Sequence, residues 1–213
     1  MTTTKPARPI RLYGASISGH THRVLLFLNL LELPYEMIEV DLQAGEHRRP
    51  EFLAKNPFGQ VPVIEDGDTT LYDSNAILIY LASKYDEGTW LPRDPLGAAG
   101  VQRWFSLATG EILRGPGFAR LVNLLGAPHD HERAKATARR LFKVLDVALR
   151  DTRFALGDTP TLADVAAYAY IACAPEGGVS LDPYPDIRAW LKRIEALPRF
   201  VPMLSSKVGL LAA

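Results

Sequence analysis

Apolar and polar residues alternate in two short segments near the N-terminus, at residues 8–13 and 36–41. Such alternation is typical of β-strands that bury one face. Residues 20–33 lie between these segments and are apolar on nearly every side of a helix, so we expect a buried helix that stops before Pro34. A strand, a helix and a second strand in this order predict a parallel pair joined by a right-handed crossover.

A β-hairpin followed directly by a helix is predicted further along. Residues 61–64 and 69–72 have β-forming composition, and the Asp-Gly dipeptide at 66–67 favours a tight turn between them. Asp73 and Ser74 are good N-cap residues, and an apolar run follows them. Because the first amides of a helix have no intrahelical partner, this helix start predicts a carboxylate-binding site at Ser74.

Strand signals stop after the first 85 residues. The order βαβ-αββα at residues 1–85 is that of a thioredoxin-like domain, and residues 86–95 form a linker rich in turn residues. Residues 96–213 predict helices only, with a break at the Gly-Pro-Gly of 115–117 and a capping box at 161–164. The predicted fold class is an α/β thioredoxin-like domain followed by an all-helical domain.

Composition and charge exclude several classes of protein. The chain has 24 basic and 24 acidic residues, and neither half is a basic surface for nucleic acid. Its N-terminus lacks the apolar core of a signal peptide, and the longest apolar run, residues 24–31, is too short to span a bilayer. Cys173 lies in an apolar segment outside any metal-binding pattern, which predicts a buried thiol. We therefore expect a cytoplasmic protein that binds neither nucleic acid nor membrane.

Two motifs together resemble one known family. The sequence Asn-Pro-Phe-Gly-Gln-Val-Pro-Val at residues 56–63, followed by Asp-Ser-Asn-Ala-Ile at 73–77, is similar to the glutathione-binding half of the soluble glutathione transferases. The resemblance implies a glutathione-binding domain at residues 1–85, the linker, and a helical domain beyond it. It also implies a cis peptide bond between Val61 and Pro62, which turns the backbone of Val61 toward an extended peptide.

The resemblance also implies how glutathione is activated. In serine-type members similar to the zeta and theta classes, including bacterial ones, a serine hydroxyl donates a hydrogen bond to the glutathione sulfur and stabilises the thiolate. Ser18 stands five residues before the Arg23-Val24 pair, as that serine does, whereas Ser16 does not, although both remain candidates. Ser18 has an alternative role as a helix cap alone. We do not expect Tyr13, which belongs to a strand, to act in its place.

The other glutathione contacts follow from the same resemblance. The γ-glutamyl end is expected at Asp73 and Ser74, the cysteinyl backbone at Val61, and the glycine carboxylate at His47 and Gln60. The full set of expected binding residues is His47, Gln60, Val61, Pro62, Asp73 and Ser74.

The resemblance predicts a glutathione transferase that acts in detoxification and adds glutathione, as co-substrate, to a small apolar electrophile, with no metal. Two alternatives stay open: another glutathione-dependent enzyme, either an isomerase or a disulfide reductase, and a non-catalytic binding module of the same fold. A homodimer is expected from the resemblance.

Overall fold

The computed structural model describes residues 5–206. The described chain divides into two compact units. Within the described residues, one unit comprises residues 5–91 together with Pro198–Met203, and the other comprises Pro92–Leu197 and residues 204–206. The predicted helical domain included 198–203, which the contacts instead place with the first unit. The boundaries at residues 85 and 96 themselves stay predictions.

The first unit is built on a four-stranded sheet in the order β2-β1-β3-β4. Its strands are β1 (Ile10–Gly14), β2 (Tyr35–Glu39), β3 (Val63–Asp66) and β4 (Thr69–Tyr72). Strands β1 and β2 are parallel, with Leu12 opposite Met37, while β3 is antiparallel to both β1 and β4. The predicted parallel pair and hairpin are thus confirmed.

The helices of this unit are α1 (Gly19–Leu30), α2 (Pro50–Leu53) and α3 (Ser74–Tyr85), and a short 3₁₀ turn at Glu46–Arg48 precedes α2. Helices α1 and α3 are in contact, and many of their apolar residues, such as Phe27 and Leu78, are fully buried. The near-continuous apolar run of α1 reflects this burial between neighbours. The packing also places the N-terminal ends of the two helices side by side.

A buried carboxylate ties the hairpin to α3. Oδ2 of Asp66 accepts hydrogen bonds from the hydroxyl of Tyr80 at 2.8 Å, the ammonium of Lys84 at 2.7 Å and the hydroxyl of Tyr85 at 2.6 Å. Burial alone would raise the pKa of Asp66, but these donors hold that pKa below its ordinary value. The charged form of Asp66 therefore stabilises the attachment of α3 to the end of β3.

In the described residues of the second unit the named elements are helices, and one isolated β-bridge joins Phe154 and Gly157. The α-helices are α4 (Pro95–Thr109), α5 (Phe118–Leu125), α6 (His131–Ala148), α7 (Leu162–Ala172) and α8 (Pro185–Glu195). A π-turn at Leu113–Gly117, which contains Pro116, separates α4 from α5 and confirms the predicted break. No helix among residues 5–206 is long and apolar enough to cross a membrane.

The predicted capping box at the start of α7 is present and lies in the core of this unit. Asp164 is fully buried, and its Oδ2 accepts from the amide of Thr161 at 2.9 Å. Its Oδ1 accepts from the amide of Ala155 and from the indole Nε1 of Trp190, both at 2.8 Å. Asp164 therefore joins α7 to the preceding loop and to α8, which its spacing in the sequence did not predict.

We predict that Asp66→Asn destabilises the protein at neutral pH in a pH-dependent way. Because the pKa of Asp66 is lowered in the folded protein, its contribution is fully present above its ordinary pKa and is lost as the pH falls through the lowered value. The difference in free energy of unfolding between wild type and variant should shrink below about pH 4. Urea denaturation over a pH series measures it, with exposed Asp68→Asn as the control. A difference that does not change with pH would contradict the role of the charge.

We predict that Asp164→Ala lowers the free energy of unfolding by roughly 3 kcal/mol, because it leaves several buried donors without an acceptor. Asp130 is a matched control, since it caps α6 but is exposed and accepts only from the amide of Arg133 at 3.0 Å. Asp130→Ala should cost about 1 kcal/mol. Denaturation followed by tryptophan fluorescence measures the free energy of unfolding of both variants. Equal losses would show that the burial of Asp164 adds nothing to its contribution to stability.

Candidate functional site

The N-terminal ends of α1 and α3 meet through side chains. Nδ1 of His20, in the first turn of α1, lies 3.3 Å from Oγ of Ser74, the first residue of α3. Nη1 of Arg23, one turn further along α1, donates to the same Oγ at 3.1 Å. Two predicted site residues, Ser18 and Ser74, therefore belong to adjoining helix starts, where unpaired amides favour bound anions.

Ser18 is the N-cap of α1. Its backbone is extended, with φ −83° and ψ 123°, and its Oγ accepts a hydrogen bond from the amide of Thr21 at 3.3 Å. The side chain is partly buried. Capping uses the hydroxyl oxygen as an acceptor and leaves the hydroxyl proton to be donated elsewhere. The two roles considered for Ser18, helix cap and hydrogen-bond donor to a ligand, are therefore compatible.

Ser16 has a different environment. It is exposed, and its Oγ donates to Oε2 of Glu39 at 2.7 Å, while its amide donates to Oε1 of the same carboxylate at 2.8 Å. A hydrogen bond to a carboxylate is charge-assisted and stronger than one between neutral groups. Donation from Ser16 to a ligand would first require this bond to break. The structure thus distinguishes two serines that differ little in the sequence.

Asp73 organises the start of α3. Its Oδ1 accepts from the amides of Asn75 and Ala76, both at 2.9 Å. Its φ is +69°, a conformation that costs a non-glycine residue on the order of 1–3 kcal/mol. Within the described residues, the amide of Ser74 in this first turn donates no hydrogen bond to Asp73, so it is available to a ligand. Strain of this kind at a helix start, where bound anions are favoured, is typical of functional positions.

Arg23 is a buried cation beneath this helix start. The side chain has no exposed surface, and Nη1 donates to Oδ1 of Asn75 at 2.8 Å in addition to Ser74. A buried guanidinium raises the local potential and favours a carboxylate bound nearby. Sequence reasoning used Arg23 only as a spacing marker and did not assign a role to His20. The available signal was the pair of polar residues three apart, His20 and Arg23, at the start of a helix that becomes apolar after Arg23.

The environment of His20 keeps its imidazole neutral. Burial, and then the charge of Arg23, lower the pKa of His20 to about 3. His22 lies two residues on, and its Nε2 donates to the backbone carbonyl of Val201 at 2.9 Å. Burial lowers the pKa of His22 to about 4. Both rings are therefore neutral at physiological pH, but only His20 faces the candidate site.

The remaining predicted residues form a second group. The peptide bond between Val61 and Pro62 is cis, as the resemblance implied. Nδ2 of Asn56 donates to the carbonyl of Gln60 at 2.7 Å and holds the loop before Val61.

His47 lies in the 3₁₀ turn next to this loop. Gly59, with φ +59°, packs so closely against the backbone of His47 that an added Cβ would lie 2.9 Å from the carbonyl oxygen. A glycine is therefore required at position 59 both by the space available and by the backbone conformation. The close approach brings His47 beside the segment that contains Gln60.

Tyr13 and Cys173 are poorly suited to catalysis. The hydroxyl of Tyr13 donates to Oε2 of Glu65 at 2.8 Å, and burial together with this carboxylate raises its pKa. Cys173 is fully buried, as predicted, and burial raises the pKa of its thiol to about 12. Within residues 5–206 no group of three or more His, Cys, Asp or Glu residues is placed to hold a metal ion.

Comparison with known proteins covers most of the chain. The model of the glutathione S-transferase N-terminal domain matches residues 17–84, and that of the C-terminal domain matches residues 126–198. Glutathione S-transferase 3 of Zea mays is 37% identical over 203 residues, which cover 90% of this chain and 91% of the relative. Glutathione S-transferase F13 of Arabidopsis thaliana is 34% identical, with coverage of 90% and 93%.

Solved structures agree with these relatives. A glutathione S-transferase from Pseudomonas fluorescens has a TM-score of 0.87 at 35% identity, covering 93% of this chain and 100% of its own. A glutathione transferase homologue from Drosophila mojavensis, solved with bound glutathione, has a TM-score of 0.80 at 30% identity, with coverage of 89% for both chains. On the family models, the relatives and the structures together, the chain belongs to the glutathione S-transferase family.

Proposed function

We propose that this protein is a glutathione transferase in which Ser18 stabilises the glutathione thiolate. The observation that supports Ser18 most directly is its geometry: the amide of Thr21 occupies its oxygen as an acceptor, so its proton is available to a sulfur atom. Ser16 instead donates to the carboxylate of Glu39. The serine-type assignment, drawn first from the spacing to Arg23, is therefore also supported by the hydrogen bonds of the two serines.

Binding is proposed to begin with the γ-glutamyl end of glutathione. Its α-carboxylate accepts hydrogen bonds from the amide and hydroxyl of Ser74, above the buried guanidinium of Arg23 and at the positive end of α3. Asp73 keeps the first turn of α3 in place and lies beside the γ-glutamyl group. The backbone of Val61, preceded by the loop that Asn56 holds, pairs with the cysteinyl residue as an added strand.

The other end of the tripeptide is proposed to lie at His47 and Gln60, which bind the glycine carboxylate. Gly59 supports this assignment because its close approach to the backbone of His47 brings His47 beside the segment that contains Gln60. With both ends held, the thiol faces the start of α1, where Ser18 caps the helix. Holding a reactant in one geometry lowers the entropic part of the barrier.

Activation of the thiol requires a modest change in its acidity. A free thiol has a pKa of about 8.5, and each pKa unit corresponds to about 1.4 kcal/mol. A hydrogen bond to a charged group contributes about 1.5–3 kcal/mol. One hydroxyl at a helix start therefore lowers the thiol pKa by about one to two units, which gives substantial thiolate at neutral pH.

The thiolate is proposed to attack a small apolar electrophile. The thiol proton is released to solvent, and the sulfur forms a bond to the electrophilic carbon while the π bond of that carbon breaks. The π electron pair moves to the neighbouring atom, which takes up a proton from solvent, and the product keeps the tripeptide. An isomerase would return glutathione unchanged, and a disulfide reductase would oxidise it, so the fate of the tripeptide distinguishes these alternatives.

We also propose that the protein is a cytoplasmic homodimer, as the family resemblance implies. Its mass in solution, measured by light scattering, tests the dimer.

The first test compares Ser18→Ala with the matched control Ser16→Ala. Titration of the thiolate ultraviolet absorbance of bound glutathione should show a lowered thiol pKa in wild type and in Ser16→Ala. In Ser18→Ala we expect glutathione still to bind but the shift to be lost, with kcat/KM about ten- to a hundredfold lower at neutral pH. Equal pKa values in all three proteins would remove Ser18 from the mechanism, and absence of binding to wild type would favour the binding-module alternative.

The second test separates anchoring from activation. Ser74→Ala should raise the Kd for glutathione about tenfold or more, because it removes a hydrogen bond to a carboxylate. The pKa of the bound thiol should stay at its wild-type value, because Ser74 is proposed to bind the γ-glutamyl carboxylate and not the sulfur. Ser83→Ala, exposed on the same helix, is the control. Calorimetry and the absorbance titration measure the two quantities, and a change in the thiol pKa without a change in Kd would contradict the assignment.

A further inference from the structure

The carboxylate of Glu39 holds the loop that leads into Ser18. Glu39 is the last residue of β2, and in the parallel register it stands opposite Gly14, the last residue of β1. Its Oε1 accepts from the amide of Ser16 at 2.8 Å, and its Oε2 accepts from the hydroxyl of the same residue at 2.7 Å. Both bonds are charge-assisted. Two bonds from one carboxylate to one residue fix the position and the orientation of Ser16.

The ends of this loop are held by contacts within the connection between β1 and α1. The amide of Ala15 donates to Oγ1 of Thr21 at 3.2 Å, and the amide of Ser18 donates to the carbonyl of Ala15 at 2.8 Å. An added Cβ at Gly14 would lie 2.3 Å from Cγ2 of Thr21, so β1 and α1 meet without space between them. These contacts are local, whereas Glu39 attaches the middle of the loop to a different strand.

The proposed role of Ser18 requires its position to be closely defined. Its Oγ accepts from the amide of Thr21 at 3.3 Å, a long bond that restrains the hydroxyl weakly. A hydrogen bond from this hydroxyl to a sulfur atom weakens when the donor shifts or tilts. Ser16 lies two residues before Ser18, so the backbone transmits a displacement of Ser16 to the hydroxyl.

The contact between Ser16 and Glu39 is suited to a local effect. Both residues are exposed, so water replaces their hydrogen bonds when the chain unfolds. Such a contact adds little to the stability of the whole domain. Its effect is therefore expected at Ser18 and not in the free energy of unfolding.

Resting on the proposed function, we propose that Glu39 is a positioning residue whose carboxylate holds Ser16 and thereby places the Ser18 hydroxyl within hydrogen-bond distance of the glutathione sulfur. The amide of Ser16 is the more important of the two donors, because it belongs to the backbone that carries Ser18. Ser16→Ala keeps this amide and its bond to Glu39. A wild-type thiol pKa in Ser16→Ala is therefore consistent with the role of Glu39.

A carboxylate near a thiolate also acts through its charge, and that effect has the opposite sign. A nearby negative charge disfavours the thiolate and raises the thiol pKa, so removal of the charge alone would lower that pKa. Loss of positioning weakens the hydrogen bond from Ser18 and raises the thiol pKa. The sign of the change in Glu39→Ala therefore distinguishes the two effects.

The first test titrates the thiolate absorbance of glutathione bound to Glu39→Ala. The thiol pKa should rise by about 0.5 to 1 relative to wild type, and kcat/KM at a pH below the thiol pKa should fall about three- to tenfold. The two pH profiles should converge above the thiol pKa, where the thiolate is fully formed. The Kd for glutathione should stay within about twofold of wild type, because the carboxylate site at Ser74 is unchanged. An unchanged or lowered thiol pKa would overturn the proposal.

Two further variants separate positioning from general disturbance. Glu39→Gln removes the charge but keeps an oxygen that accepts from the amide of Ser16, so it should recover most of the wild-type thiol pKa. Glu36→Ala is the matched control, since Glu36 is an exposed carboxylate on the same strand whose Oε2 lies 3.9 Å from Nε of Arg11. Urea midpoints should equal that of wild type in all three variants. A failure of Glu39→Gln to recover the pKa, or a lowered midpoint in Glu39→Ala, would overturn the proposal.

A double variant separates this proposal from the proposed function. Because Glu39 is proposed to act through Ser18, adding Glu39→Ala to Ser18→Ala should not raise the thiol pKa further. A further rise would show that Glu39 acts on another group and would overturn its positioning role. Wild-type protein that leaves the thiol pKa of bound glutathione at its free value would instead overturn the proposed function itself.

Discussion

The guanidinium of Arg23 is the group on which the candidate site depends. It has no exposed surface, and it donates to Ser74 and Asn75, so a residue of α1 holds the first two residues of α3. Burying a charge is costly, and the cost falls when dipoles and a counter-charge face it. The helix start above Arg23 carries a partial positive charge, so a carboxylate bound there would interact favourably with both. At about 5 Å and an effective dielectric constant of about 20, its attraction to Arg23 would be about 3 kcal/mol.

This contact between α1 and α3 depends on how the two helices are attached to the sheet. Helices α1 and α3 each follow a strand, and their mutual packing places both helix starts at one place. Asp66 fixes the far end of α3 through Tyr80, Lys84 and Tyr85, so the start of that helix has little freedom to move relative to β3. A site made of two helix starts requires this rigidity, since hydrogen-bond geometry degrades within a fraction of an ångström.

Much of the fold followed from local patterns in the sequence. Alternation located β1 and β2, the Asp-Gly dipeptide located the hairpin, and the Gly-Pro-Gly sequence located the break between α4 and α5. The boundaries were less accurate: α1 begins at Gly19 and ends at Leu30, rather than spanning residues 20–33, because Ser18 caps it and Glu32 adopts φ +54°. A cap and a left-handed residue are single-residue events that periodicity does not resolve.

The site was less accessible to sequence reasoning than the fold, for a physical reason. In the sequence, Ser16 and Ser18 differ only in their spacing to Arg23, whereas in the structure Ser18 caps α1 and Ser16 donates to the carboxylate of Glu39, 23 residues away along the chain. Likewise, the contact between His20 and Ser74 spans 54 residues. Local pattern predicts where a helix begins but not which distant group meets that helix start. Partners of this kind are fixed by tertiary packing.

In the proposed mechanism, anchoring and activation lie at different helix starts, and this separation affects how the site is able to change. Ser74, with Arg23 beneath it, would bind the carboxylate at the start of α3, whereas Ser18 would stabilise the sulfur at the start of α1. Arg23 lies in α1, the helix that Ser18 caps, so a displacement of α1 would alter both functions together. A substitution at Ser74 or Ser18 alters only one. The side chains at each helix start are therefore free to diverge separately, while the apolar contacts that join α1 to α3 are not, because both functions depend on them.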